Sequence, residues 1–172
     1  MADTKISALT ADTAPDRAAD YVPTYDASAT ATKKVLLSNL GGYHIQAFGT
    51  SFSPADGTTY YFGGHPAGWT ASSPINKLYI PRAGKLVKAR IFMYSASAAG
   101  SAETSTISFR LNDTTDTTIS STLALNAFPA TVVNSALAVA VAEDDYFSIK
   151  WVTPTWVTNP TNVIVSCQLW FT

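Results

Sequence analysis

Charge is what this sequence has least of. Only 13% of its 172 residues are Asp, Glu, Lys or Arg, and the formal net charge is -1, where an ordinary soluble domain carries about a quarter. So neutral a chain lacks the basic excess that holds phosphate backbones, which excludes nucleic acid as an expected partner. Lys33-Lys34 is the only adjacent basic pair, and it reads as a solvated strand edge. Cysteine occurs once, at Cys167, which leaves no intrachain disulfide and no cysteine zinc cluster. No Gly-x-Ser-x-Gly elbow, His-Glu-x-x-His helix or Gly-rich phosphate loop occurs, and the two histidines, His44 and His65, lie in loop-like surroundings. Without a nucleophile, a base and an orienting group to bring together, the expectation is a protein that is not an enzyme and needs no cofactor. No stretch approaches the roughly 20 apolar residues of a membrane helix, so no membrane partner is expected. The opening Met1-Ala2-Asp3-Thr4-Lys5 has no charged region followed by an apolar run, so synthesis in a cytoplasm is expected.

Helical periodicity is nearly absent as well, and apolar/polar alternation takes its place. Val163, Val165, Cys167, Leu169 and Phe171 share one face of a strand, while Ser166 and Gln168 share the other. Period-2 patterning of that length means a strand with one buried face, and it makes Cys167 a small buried apolar residue. Runs of this kind cover residues 58–62, 77–80, 85–94, 104–112, 117–125, 132–141, 146–152 and 162–171. Turn chemistry separates them, as in Pro81-Arg82-Ala83-Gly84 and Asn112-Asp113-Thr114-Thr115-Asp116. About eight short strands at near-regular spacing predict an all-β fold, an antiparallel β-sandwich or barrel.

Alternation also assigns faces. Ile107, Phe109 and Leu111 point inward, as do Phe147, Ile149 and Trp151. In 85–94, Val87, Ala89, Ile91 and Met93 form one face, and Leu86, Lys88, Arg90, Phe92 and Tyr94 the other. A face that mixes cations with large aromatics fits a protein–protein contact better than free surface. The clusters Asn112 to Asp116 and Glu143-Asp144-Asp145 carry oxygen ligands suited to calcium. Hairpin turns use the same residues to cap their own backbone, and turn chemistry is the reading preferred. Of the four tryptophans, Trp69 and Trp156 lie in loop-like sequence and are the candidate sugar-stacking contacts. The reading preferred makes them caps of the sandwich or parts of a subunit interface.

Residues 1–40 differ from the rest. Ala, Thr, Asp and Ser dominate, with apolar islands at Ile6 and Leu9, at Tyr21-Val22-Pro23, and at Val35-Leu36 to Leu40. Such a segment cannot bury enough surface to fold alone. It is either a disordered tail or an extended arm ordered on a partner, and the spaced islands favour the arm. Gly41-Gly42 breaks the chain, and residues 41–57 read as a linker with a short strand around 45–48, followed by 58–172 as the sandwich.

The opening Lys5-Ile6-Ser7-Ala8-Leu9-Thr10, with Asp20-Tyr21-Val22-Pro23 and Thr32-Lys33-Lys34-Val35 to Leu40, resembles an N-terminal segment of tailed-bacteriophage structural proteins. Ile80-Pro81-Arg82-Ala83-Gly84-Lys85-Leu86, Phe109-Arg110-Leu111-Asn112, Val141 to Lys150 and the closing strand resemble the C-terminal sandwich of phage fibre and head-decoration proteins, similar in shape to trimeric C1q/TNF-like jelly rolls. Where that pattern usually has Ala-Gly-Asp, this chain has Ala142-Glu143-Asp144. The resemblance implies a jelly-roll knob and a virion structural protein, either a capsid decoration (cement) or head-fibre protein. It also implies a homotrimer formed through Leu86, Lys88, Arg90, Phe92 and Tyr94. The arm would dock on the virion through Ile6, Leu9, Tyr21, Val22, Pro23, Val35, Leu36 and Leu40. The alternative is a tail-fibre or receptor-binding knob that reads a host surface glycan through Trp69 and Trp156.

Overall fold

The alternation of the closing segment places its five apolar residues in the core, each buried essentially completely, and the rest of the fold is arranged around that strand. The computed structural model describes residues 21–26, 31–36, 41–64, 76–97 and 103–172, and the chain divides into two compact units, Met1–Gly42 and Tyr43–Thr172. No helix occurs among the described residues.

In the first unit, β1 (Tyr21–Asp26) pairs antiparallel with β2 (Ala31–Leu36). The expected single extended arm is thus, over these residues, a two-stranded ribbon. Pro23 sits opposite Lys34, a position where a missing N–H is tolerated because each strand has a free edge.

The second unit contains β3 (Tyr43–Phe52), β4 (Thr59–Phe62), β5 (Leu78–Tyr79), β6 (Gly84–Tyr94), β7 (Thr104–Leu111), β8 (Thr115–Ala124), β9 (Ala130–Asn134), β10 (Val139–Val141), β11 (Tyr146–Val152) and β12 (Val163–Phe171). They form two antiparallel five-stranded sheets. The front sheet runs β10-β6-β12-β3, with β9 also paired to β6. The back sheet runs β4-β11-β7-β8, with β5 also paired to β11. Their inner faces share one core, in the manner of a β-sandwich. Phe171 of the front sheet lies 6.4 Å from both Phe109 and Phe147 of the back sheet, and Phe52 meets Trp151 edge-on at 5.9 Å.

Three expectations about the strands need correction. Residues 41–57 are not a linker, because β3 pairs with β12 from Tyr43 opposite Phe171 to Phe52 opposite Val163. A bulge there, between the Gly49 and Phe52 pairings, breaks the period and hides the strand's length in the sequence. Residues 132–141 are two strands, not one. The Asn134 side-chain oxygen accepts the Ala136 N–H at 3.0 Å, a local bond that competes with the sheet ladder and ends β9. The third correction, Leu86, belongs with the surface described next. Gly63 closes one side of the sandwich: its carbonyl accepts the Phe48 N–H at 3.1 Å. A Cβ at Gly63 would overlap the Asn76 carbonyl oxygen, so only glycine permits that approach.

Candidate functional site

The face of β6 expected to point outward begins one residue out of phase. Trp170 of β12 pairs with Lys88, but the next residue, Phe171, pairs with Leu86. Val87 is therefore an extra residue, a bulge that reverses the alternation. Leu86 enters the core with 0% exposure and leaves the candidate interface, while Ala89, Ile91 and Met93 remain buried. Lys88, Arg90, Phe92 and Tyr94 do form one outer face, with the last three exposed.

Register extends this face across the front sheet. Phe48 of β3 lies opposite Ser166, which lies opposite Phe92. Gln46 lies opposite Gln168, then Arg90, then Val133 of β9. His44 lies opposite Trp170, then Lys88, and the Lys88 ammonium stands 5.0 Å over the Trp170 ring, a cation–π distance. Ile164 lies opposite Tyr94. Five of the seven large hydrophobics exposed among the described residues, Phe48, Phe92, Tyr94, Val133 and Ile164, lie on this one surface. Between Arg90, Phe92, Ser166 and Gln168 the surface dips into a concavity of about 230 Å³. The front-sheet strands contain Lys85, Lys88 and Arg90 and no Asp or Glu.

The back sheet's outer face is built differently. Asp116 accepts hydrogen bonds from Arg110 at 2.8 Å and Lys150 at 2.6 Å. Burial opposes ionisation of Asp116, and the bonds from Lys150 and Arg110 outweigh it, holding the carboxyl below its ordinary value. Arg110 also donates to the Asp113 carbonyl and stands over the Tyr61 ring at 5.7 Å. There both cations of the cluster share the one carboxylate of Asp116.

The two acidic turns meet at one end of the unit. Asp145 accepts from the Asn112 amide at 2.8 Å and from the Ala142 N–H at 2.7 Å, and the first of these is the larger cause of its lowered pKa. Asn112 in turn accepts the Tyr146 N–H at 3.1 Å. Lys77 pairs with Asp113 at 3.1 Å and covers the Tyr146 ring. Among the described residues no three of His, Cys, Asp and Glu gather as a metal would need. The Asp113 and Asp145 oxygens bind neighbouring side chains and backbone.

Trp156 is corrected as a sugar contact. It is 4% exposed, packs 6.1 Å from Trp151, and its backbone N–H donates to Asp56 at 3.1 Å. It is core because Asp56 and Trp151 hold its loop against the sandwich. Trp69, Ile6, Leu9 and Leu40 lie outside the described residues. Tyr21, Val22 and Pro23 lie opposite Leu36, Val35 and Lys34 in the β1–β2 ribbon. Sequence reading missed Phe48, Val133, Ile164 and Trp170 as parts of the surface. The polar phase of 162–171 was a usable signal for Ile164 and Trp170, whereas Phe48 and Val133 join only through strand pairing. Comparison with protein-family models, with curated proteins and with solved structures finds no match to this chain.

Proposed function

We propose that this chain is a bacteriophage virion structural protein, a homotrimeric capsid decoration or head-fibre protein. Its N-terminal unit docks on the particle and its sandwich stands outside on the virion surface. The observation that carries the reading is the contrast between the outer faces. The back sheet pairs its charges, while the front sheet displays aromatics, aliphatics and cations that meet no counter-charge among the described residues. Contiguous exposed apolar surface of this kind marks an interaction site, and Lys88, Arg90, Phe92 and Tyr94 are its trimer-forming residues.

Strand order supports a jelly roll. In chain order the strands pass front (β3), back (β4, β5), front (β6), back (β7, β8), front (β9, β10), back (β11) and front (β12), the repeated sheet crossing of Greek-key connections. Decoration is preferred over a fibre because the sandwich begins at Tyr43, directly after a unit that ends at Gly42, with no repeat between them to serve as a shaft. The receptor-binding alternative has lost Trp156 as a glycan contact, since that side chain is buried.

The test is a particle lacking the protein. A decoration protein adds binding energy only to the assembled shell and stabilises it by linkage. Such particles should adsorb to their host at the normal rate and lose infectivity sooner on heating. Sharply reduced adsorption with unchanged heat tolerance would refute decoration and favour the receptor-binding knob.

A further inference from the structure

Charges in the unit Tyr43–Thr172 are sorted rather than scattered. Asp113 is paired with Lys77, and Asp116 with Arg110 and Lys150. Asp145 is engaged by Asn112 and Ala142, Asp56 by the Trp156 N–H, and Glu103 by the Val157 N–H. Glu143 and Asp144 remain, both exposed on the β10–β11 turn, with no side-chain partner among the described residues. That turn is held in one shape: Asp144 takes a φ of 65°, and its N–H donates to the Ile80 carbonyl at 3.0 Å.

The cations left over lie on the front face. Arg90 meets no carboxylate among the described residues, and Lys88 meets the Trp170 ring. The concavity beside Arg90 is walled by Phe92, Ser166 and Gln168. Gln46 donates to the Ser166 hydroxyl oxygen at 3.1 Å, which leaves that hydroxyl's hydrogen free to donate. A guanidinium, an amide and a hydroxyl converging beside an aromatic wall are suited to a carboxylate.

We propose that this concavity receives the Glu143-Asp144 turn of a second copy of the chain. The Glu143-Asp144 turn cannot reach the concavity of its own chain. Val141, at the base of the turn, pairs with Gly84, and Arg90 lies six positions further along β6, about 20 Å at a strand's rise. A twofold contact of front face with front face is disfavoured, because it gathers Lys88 and Arg90 of both copies with no acid on the front-sheet strands. The contact is therefore heterologous, the sheet face of one copy against the acidic end of the next. Repeated about a threefold axis, such a contact closes a ring. This rests on the trimer reading above and supplies that trimer's contact.

Sedimentation of the full-length protein over a dilution series tests it, with thermal melts as the folding control. Arg90, Glu143 and Asp144 are exposed, so Arg90→Glu, Glu143→Arg and Asp144→Asn should still fold and melt cooperatively, lowered only as far as a weaker trimer stabilises the folded chain less. Asn is chosen at 144 because it tolerates the left-handed backbone. The wild type should be a trimer, and Arg90→Glu or Glu143→Arg should raise the concentration at which it dissociates by about tenfold or more. The double variant Arg90→Glu/Glu143→Arg should recover most of that loss. A wild-type trimer whose dissociation is unchanged by Glu143→Arg and Asp144→Asn, or a double variant no better than the weaker single one, overturns the proposed contact alone. A wild-type monomer overturns the trimer reading itself, without recourse to any variant.

Discussion

Asn112 and Asp145, 33 positions apart in sequence, meet at 2.8 Å and tie the β7–β8 turn to the β10–β11 turn. Asn112 does this from a left-handed backbone, with a φ of 49°. Two demands therefore fall on one residue, a positive φ and a side chain that both donates and accepts. Asn112→Gly should keep the turn and lose the bonds, whereas Asn112→Ala should lose the bonds and strain the turn. Thermal melts should rank the wild type above Gly and Gly above Ala, with Ala several degrees below the wild type. Equal melting of Gly and Ala would show that the backbone conformation carries no cost.

Acid should weaken the fold through Asp145 and Asp116. Asn112 first, and then the Ala142 N–H, hold the Asp145 carboxyl below its ordinary value. At Asp116 burial pulls the other way and the bonds from Lys150 and Arg110 prevail. Both folded-state values lie below the unfolded ones. Their stabilisation is therefore complete above about pH 4 and is lost as pH falls through the folded-state values. Asp116→Asn should cost less than about 1 kcal/mol at pH 7, since solvent screens the cluster, and should narrow the gap in Tm between pH 7 and pH 3. An unchanged gap would remove Asp116 from the acid response.

The bulge at Val87 is tested by a pair of substitutions. Leu86→Asp buries an unpaired carboxylate and should cost more than about 3 kcal/mol, enough to prevent folding or nearly so. Lys85→Asp, one residue out of phase and exposed, should change the melt little. If Leu86→Asp proved as mild as Lys85→Asp, the alternation would run through β6 without interruption.

Trp156→Ala should act on stability. A buried tryptophan packed on Trp151 is expected to cost about 3–5 kcal/mol when truncated, which calorimetry or denaturant titration would read. A Trp156→Ala variant with a native melt and altered sugar binding would restore Trp156 as a surface contact.

Cys167 should be chemically silent in the native state. Burial pushes its thiol far above the ordinary value, and only the thiolate reacts. Labelling by a thiol reagent should proceed at the rate of unfolding and accelerate with denaturant. Fast labelling in native buffer would mean that β12 opens locally.

The inward faces of β7, β11 and β12 were legible because a strand's alternation is local. Successive side chains point to opposite sides whatever the strand pairs with, so Phe109, Phe147 and Leu169 could be placed by counting. Gly41-Gly42 was legible as a break for the same reason, and the division between units falls there. β3, the bulge at Val87 and the split of β9 from β10 were not legible, since each depends on partners distant in sequence or on a side-chain bond that ends a ladder. The outer face of the front sheet shows the same division. Arg90, Phe92 and Tyr94 were found by period alone, while Phe48 and Val133 joined them through β12 and through β6.

The sequence by itself determined an all-β chain, the inward faces of β7, β11 and β12 and a face that mixes cations with aromatics, because composition and period are properties of neighbouring residues. Only the tertiary structure decided that Leu86 and Trp156 are core and that Asn112 reaches Asp145. It also decided that the unpaired cations and the unpaired acids stand on different parts of one unit. Those outcomes depend on hydrogen bonds and packing between residues tens of positions apart, which no local pattern encodes.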